Sequence, residues 1–327
     1  MPRVFTGLKP TGRLQVGNYL GAIRPLLELS AGPDHELLVS VVDLHALTVE
    51  HDPARLRELT LEMAATLLAC GLDRRATLFV QSSVPEHTEL SYLMESTASY
   101  GEMSRMIQFK EKSRGQEPTR LSLLTYPALM AADILAYQTQ VVPVGGDQRQ
   151  HLELATTLAR RFNGRYGRVF TVPRGVTPPS EARIKDLRDP TAKMGKSGAD
   201  GSGVVFLLDP PETVLAKVQR AVTDSDPVLG YDPDRRPGVA NLAVLLAAFT
   251  GTSPQRAVDE LHSAAALKKA VAEAVVESLR PIQQAYQELM ADRAGLLARL
   301  RAGAETASPI AAKTVALARD AIGLAAV

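Results

Sequence analysis

Two stretches of the chain carry residues whose types and spacing suit phosphate chemistry. The first is residues 1–21, MPRVFTGLKPTGRLQVGNYLG, where Gly7, Pro10 and Gly12 force turns after the apolar Val4 and Phe5. Gly17-Asn18 then opens an amphipathic helix that carries Tyr19, Leu20, Ile23, Leu26 and Leu27 inward. Glycines let the backbone approach a ligand closely, and the unpaired N–H groups of a helix N-terminus attract anions. An ordinary β-loop-α corner fits the same residues. The second stretch is residues 183–200, RIKDLRDPTAKMGKSGAD, where Lys193 and Lys196 flank Met194 and Gly195 and Ser197-Gly198 follow. Two such lysines, facing the first loop across a domain boundary, can neutralise the charge that builds on a leaving pyrophosphate during attack at an α-phosphorus. A solvated basic loop is the alternative for any pair of lysines.

The elements that must position these loops alternate through the first half. Residues 36–42, 76–80 and 140–144 are short, nearly continuous apolar runs, and helical patterns separate them. Asp52-Pro53 reads as an N-cap with proline at the first helical position, Pro85-Glu86 starts another helix, and residues 101–112 read as a further one. Residues 121–137 form a long apolar helix with Pro127 inside, and residues 147–163 another. Buried strands alternating with helices predict an α/β fold, a Rossmann-like parallel sheet covered on both faces. Ligands bind such sheets at the carboxyl ends of the strands, so His45, Gln81, Gly145 and Asp147 should share a rim with the opening loop. Residues 174–200 read as a long loop and 204–207 as a short strand. The pattern is helical from Pro211 onward, ending in an Ala-rich helix from residue 310. The expected division is a catalytic domain over 1–190 and, over 191–327, the lysine loop and a helical domain whose last helix could pack back on the sheet.

Composition bounds the rest. Of 327 residues, 45% are hydrophobic and 22% charged, ordinary values for a globular protein, and the net charge of +1 argues against wholesale coating of nucleic acid. No apolar run reaches the roughly 20 residues that span a bilayer, and no secretory signal opens the chain, so a cytoplasmic protein is expected. The single Cys70 sits among leucines and reads as packing. Basic side chains cluster at Arg105, Lys110, Lys112, Arg114 and Arg120, and again at Arg160, Arg161, Arg165 and Arg168. These are candidate phosphate contacts or ordinary solvated faces.

Taken together, Gln15-Val16-Gly17-Asn18 and Lys193-Met194-Gly195-Lys196-Ser197 resemble the paired signatures of class I aminoacyl-tRNA synthetases. The pieces PTGRLQVGNYLGAI, VVDLHALT, LFVQSSVPEH, GEMSRMIQFKEKS, TYPALMAADILAYQTQVVPVGGDQRQHLELA, AVTDS and LRPIQ follow in the order of the bacterial tryptophanyl branch. The resemblance implies activation of L-tryptophan with ATP and Mg²⁺, the metal carried by the nucleotide, and transfer to tRNA(Trp) by a homodimer. It assigns the indole N–H to Asp133 and the indole pocket to Phe5, Gly7, His45, Tyr126, Met130, Ile134, Val142 and Val144. Gln148 is assigned to the polar end of the amino acid. ATP falls to Lys9, Pro10, Thr11, Gly17, Asn18, Gly145, Gly146, Asp147, Ile184, Lys193, Met194, Gly195, Lys196 and Ser197. Lys112 is a further lysine that reaches ATP, and Lys193, Lys196, Lys112 and Asp147 carry the catalytic roles. Each residue keeps a plainer explanation: a satisfied structural Asp133, Met130 as core filler, His45 as a satisfied core residue, Asp147 as a helix cap.

Four positions depart from that branch. Lys9 stands where glutamine is usual, Gln15 where threonine or histidine is, Gly146 where glutamate is, and Gly195 in place of a serine. Gly195 loosens the lysine loop by about 0.5–1 kcal/mol of backbone freedom. The fixed charge of Lys9 is expected to reduce sensitivity to tryptophan-analogue inhibitors, as in an accessory copy of the enzyme. Gly145-Gly146 leans toward the sister tyrosyl enzymes, the alternative enzyme reading. Gln15 with Gly195 motivates another, a catalytically silent tRNA-binding paralogue.

Overall fold

The protein is represented by a computed structural model. It describes residues 1–31, 35–72, 76–113, 119–145, 148–176, 184–195, 201–224 and 229–325, apart from the side chains of Ser30, Ala31 and Lys112. The chain forms two compact units, one of Met1–Gly12, Glu28–Pro178 and Asp292–Val327, the other of Arg13–Leu27 and Pro179–Ala291. A cut near residue 190 would part Arg13–Leu27 from the unit it packs in, while the last helix, expected as one that could pack back on the sheet, belongs to the first unit.

The first unit is built on five parallel strands: β1 (Arg3–Leu8), β2 (Glu36–Val41), β3 (Ala76–Val80), β4 (Val141–Pro143) and β5 (Arg174–Val176). Their order is β3-β2-β1-β4-β5. The apolar runs of β2 and β3 are buried as a doubly covered sheet requires. The chain moves outward from β1 through β2 to β3 and then returns to the other side of β1. The switch of direction falls between β1 and β4, where such sheets open a crevice at their carboxyl ends.

Caps and turns account for the helices around this sheet. Asp52 accepts from the Ala54 N–H at 3.1 Å and starts the helix Pro53–Ala69, with Pro53 in the first turn. The single helix expected over 101–112 is two, Tyr100–Ser104 and Ile107–Ser113, because a turn between them buries both Met103 and Met106. Ser99 and Glu102 form a capping box at the first of these. The apolar helix Leu121–Leu135 runs through Pro127 as expected. Residues 174–176, expected in a loop, are strand β5. Its Arg174 and Gly175 are exposed and give no apolar signal, and Gly175 lets Leu152 pack where a Cβ would stand 2.7 Å from its Cδ2.

The last helix, Arg293–Ile322, begins well before residue 310 and belongs to this first unit. It covers β3, which is an edge strand with unpaired backbone groups on its outer side. Gly303 permits the contact, since a Cβ there would collide with the Leu78 carbonyl oxygen. Arg293 pairs with Glu58 at 2.5 Å, Arg319 with Glu89 at 2.7 Å, and Ser308 donates to Glu86 at 3.1 Å.

The second unit is helical, with Pro211–Gln219, Pro237–Thr250, Pro254–Asp259 and Ala264–Ala291. Leu242, Leu245, Leu267, Val271 and Val275 are in its core. The short strand expected over 204–207 is reduced to one antiparallel bridge, Gln15 to Phe206. No helix among the described residues is long and apolar enough to cross a membrane.

Candidate active site

Asp133 is the residue that an apolar helix would not choose for packing, and its surroundings explain it. The side chain is 2% exposed, on the helix Leu121–Leu135. Its Oδ1 accepts from Gln81 Nε2 at 2.7 Å and His87 Nδ1 at 2.6 Å, and its Oδ2 accepts from His45 Nε2 at 2.8 Å. Burial alone would raise the carboxyl pKa. The hydrogen bonds from His45 and His87, with the attraction of the same two rings, outweigh it and hold Asp133 well below the usual carboxylate range. An ionised carboxylate only accepts, so both histidine nitrogens facing it carry the proton. For a neutral His87, that tautomer leaves Nε2 to accept from the Tyr137 hydroxyl at 2.7 Å. Burial, then the Asp133 and Glu86 charges, push the Tyr137 phenol up and keep it a donor.

A carboxylate oxygen has two lone pairs. Oδ1 spends both on Gln81 and His87, while Oδ2 spends one on His45 and, among the described residues, keeps one for another donor. The plainer explanation of Asp133 and the ligand explanation are therefore compatible: the group is satisfied enough to stay ionised and has one acceptor site left.

Strand ends and helix spacing bring these side chains together. His45 lies in the 3₁₀ turn after β2, held by Asp43, which accepts from the Leu44 N–H at 3.1 Å. Gln81 follows β3 directly, and its Oε1 accepts from the same N–H at 3.1 Å. Tyr126, Met130 and Asp133 repeat at helical spacing on one face of the helix, and Tyr137 follows just past its end. Tyr126 stands edge-on to His45 with ring centroids 6.1 Å apart, and its hydroxyl lies 2.5 Å from His151 Nε2 and 3.2 Å from Gln108 Oε1. Burial pushes the Tyr126 phenol up.

The other residues assigned to the indole divide by exposure. Phe5, Ile134, Val142 and Val144 are buried in the core cluster, with Met130 packed partly buried against it. Gly7 is exposed and passes close to Val42, whose Cγ1 would lie 2.8 Å from a Cβ there. Gln148 is half-buried at the N-cap position of the helix Arg149–Tyr166, with its N–H on the Gly145 carbonyl at 3.1 Å. Sequence reasoning placed Gln81 only by its strand end and passed over His87 and Tyr137. A signal for His87 existed, since it shares one helical face with Leu90, Ser91 and Met94, all buried.

Lys9, in the same unit, follows β1, and its Nζ donates to Thr48 Oγ1 at 3.2 Å. Thr48 in turn donates to the His45 carbonyl at 2.9 Å, so the lysine is anchored to the turn that carries His45. Pro10 is buried and Thr11 exposed, with the Thr11 N–H on the Lys9 carbonyl at 2.8 Å. Arg161, from the second basic cluster, is committed to Glu102 at 2.6 Å, and Arg120 of the first donates to the Leu47 carbonyl at 3.4 Å.

The two signature stretches share the second unit. Gln15 caps the helical segment starting at Val16, and Gly17 and Asn18 complete that turn. Lys193 is exposed, Met194 is 1% exposed, and Lys193 bridges Lys185 in antiparallel fashion, with the Met194 N–H on the Ile184 carbonyl at 3.1 Å. Asn241 clamps the same hairpin, accepting from the Lys185 N–H at 2.8 Å and donating to its carbonyl at 3.0 Å. Gly195 is half-buried. Gly146, Asp147, Lys196, Ser197 and Arg114 lie outside the described residues, as does the side chain of Lys112.

A doubly wound sheet with a buried acceptor, and a glycine-rich turn sharing its unit with a lysine hairpin, define a class I synthetase. The family model for class I tRNA synthetases (W and Y) matches residues 1–280. A tryptophan–tRNA ligase 1 of Streptomyces coelicolor is 54% identical, over 99% of this chain and 98% of that protein. The crystal structure of tryptophanyl-tRNA synthetase from Mycoplasma pneumoniae matches with a TM-score of 0.88 and 38% identity, over 99% and 98% of the two chains. That of Campylobacter jejuni, complexed with ADP and tryptophane, matches with a TM-score of 0.86 and 28% identity, over 98% and 100%. The chain belongs to the class I tRNA synthetases for tryptophan and tyrosine, and within them to the bacterial tryptophan–tRNA ligases. Its activity is ATP-dependent tryptophan–tRNA ligation, which removes the tyrosyl and silent-paralogue alternatives.

Proposed function

We propose that Asp133 selects tryptophan by accepting the indole N–H on the free lone pair of Oδ2, with His45, Gln81 and His87 holding the carboxylate ionised and aimed. The lone pair of Oδ2 that no described residue fills carries this reading. Phenylalanine would bring no donor and leave the buried oxygen unpaired, a difference that can discriminate by about 10⁴–10⁵. Phe5, Gly7, Tyr126, Met130, Ile134, Val142 and Val144 surround the ring, and Gln148 serves the polar end of the amino acid.

The tryptophan carboxylate oxygen attacks the α-phosphorus of ATP. The bond from that phosphorus to the bridging oxygen of the β-phosphate breaks, and pyrophosphate leaves with its electron pair. A ribose hydroxyl at the 3′ end of tRNA(Trp) then attacks the adenylate carbonyl, and AMP departs. The protein needs no nucleophile, so positioning and charge stabilisation do the work. Lys193, Lys196 and Lys112 neutralise the phosphates, on which Mg²⁺ is carried. Lys9, Pro10, Thr11, Gly17, Asn18, Gly145, Gly146, Asp147, Ile184, Met194, Gly195 and Ser197 bind ATP. The helical segment of the second unit reads the anticodon. A homodimer in the cytoplasm completes the reading, and the exposed Tyr92, Tyr100, Ile107 and Leu121 of the first unit support it as apolar surface for a second copy.

The test is amino-acid-dependent pyrophosphate exchange with a panel that includes tryptophan, tyrosine and phenylalanine. Tryptophan alone should support exchange in the wild type, and Asp133→Asn should lose both rate and selectivity. Unchanged selectivity in Asp133→Asn would refute the assignment.

A further inference from the structure

Gln15 caps a helix, yet capping does not explain why a glutamine stands there. N-cap positions favour Asn, Asp, Ser and Thr, whose short side chains reach the first-turn N–H groups. Gln15 does act as a cap, since its Oε1 accepts from the Gly17 N–H at 3.1 Å and its own N–H donates to Asn18 Oδ1 at 3.3 Å. Threonine or asparagine would do as much with less chain to order.

The extra length is used elsewhere. Gln15 Nε2 donates to the Met194 carbonyl at 2.5 Å, across 179 residues of sequence, and the bond is buried. Gln15 is 4% exposed and Met194 1%, so neither group has water to replace its partner. Gly17 makes the folded-back glutamine possible, because a Cβ there would stand 2.9 Å from Gln15 Oε1. The main chain beside it is fastened too, with the Val16 N–H on the Val205 carbonyl and the Leu207 N–H on the Leu14 carbonyl, both at 2.9 Å. The Met194 residue is thus gripped on both sides, its N–H by the Ile184 carbonyl at 3.1 Å and its carbonyl by Gln15. Its immediate neighbours are Lys193 and Gly195.

We propose that Gln15 is a positioning residue for the lysine loop: its carboxamide tethers the Met194 carbonyl and so sets where Lys193 and Gly195 stand relative to the Gly17-Asn18 turn. The tether offsets the freedom that Gly195 brings to the loop. The proposal rests on the reading of that loop as an ATP contact.

Two variants separate tether from cap. Gln15→Thr keeps a good N-cap and cannot reach Met194. Gln15→Glu keeps the length and the acceptor for Gly17, but sets a carboxylate oxygen against the Met194 carbonyl. Tryptophan-dependent pyrophosphate exchange should show kcat/KM for ATP falling about tenfold in Gln15→Thr and further in Gln15→Glu, the scale of one buried hydrogen bond. The KM for tryptophan should stay within about twofold. Trypsin should cleave faster after the exposed Lys193, read by mass spectrometry, in a Gln15→Thr protein that still melts cooperatively. Should Gln15→Glu fail to fold, Gln15→Thr carries the test alone. Folded Gln15→Thr with unchanged ATP kinetics and unchanged cleavage overturns the tether, and so does an equal rise of both KM values. Lys193→Ala, run beside it, tests the underlying reading: unaffected exchange there means that the loop does not serve ATP, while cleavage at Lys193 in Gln15→Thr still reports on the tether itself.

Discussion

Around Asp133 the protein is held by side chains. Two imidazoles and a carboxamide, each from a different part of the chain, converge on one carboxylate, and a tyrosine fixes one of the imidazoles from behind. Around Met194 it is held mostly by backbone, in a hairpin between Ile184 and Lys193 with a carboxamide added from Gln15. On the reading proposed above, the two regions meet different chemical demands. Recognising an indole N–H requires one acceptor in a fixed place in a dry site, where an unpaired polar group is costly. Handling polyphosphate requires glycines, exposed lysines and main-chain N–H groups that can approach closely. Selectivity is thus placed, on the proposed reading, where movement is expensive, and charge neutralisation where the side chains stay solvated.

Removing the centre of the first region should have the largest effect. Asp133→Asn leaves His45 or His87 facing an amide donor, so tryptophan-dependent exchange should fall by about 10³, with a stability loss of about 3 kcal/mol in chemical denaturation. The same variant sharpens the electrostatic side. Asp133 has its folded pKa lowered, so its contribution to stability is present above the ordinary carboxylate range near pH 4 and is lost as the pH falls toward the folded value. Wild-type stability should therefore drop more steeply below about pH 4 than that of Asp133→Asn, as followed by denaturant midpoints across pH.

The support behind the carboxylate comes next. His87→Ala should raise the KM for tryptophan about tenfold and leave the KM for ATP unchanged. His87→Asn, whose amide can stand in for Nδ1, should restore most of the loss. If both KM values rise together, the division between the two regions is wrong.

Smaller effects belong to the departures. Lys9→Gln removes the charge anchored through Thr48 to the His45 turn, and should tighten tryptophan-analogue inhibitors several-fold. Equal inhibition constants for the two proteins would count against a role for that charge. Gly195→Ser should raise the exchange rate about two- to fivefold, from roughly 0.5–1 kcal/mol of backbone freedom. Its gain should be larger in a Gln15→Thr background, where the loop has lost its tether.

Much of this was legible in the sequence because it depends on neighbours. Apolar runs of strand length became β2 and β3, Asp52-Pro53 became a capped helix start, and Leu121–Leu135 kept its pattern through Pro127. A strand with little apolar content, such as β5, gave no local signal and was missed. Periodicity, capping and turn chemistry are properties of a few consecutive residues, and an acidic residue in an apolar helix announces an unusual demand wherever it occurs. The tertiary structure alone decided how that demand is met. Asp133 finds His87, Gln81 and His45 at separations of 46, 52 and 88 residues, because strand order sets which strand ends meet at one rim. Arg13–Leu27 joins the unit of the lysine hairpin, and the last helix returns to cover β3. Gln15, which in the sequence was a departure from a pattern, acquired a partner 179 residues away. Which distant groups share a dry site is fixed by packing and chain path, and a buried hydrogen bond can be recognised only when both of its ends have been placed.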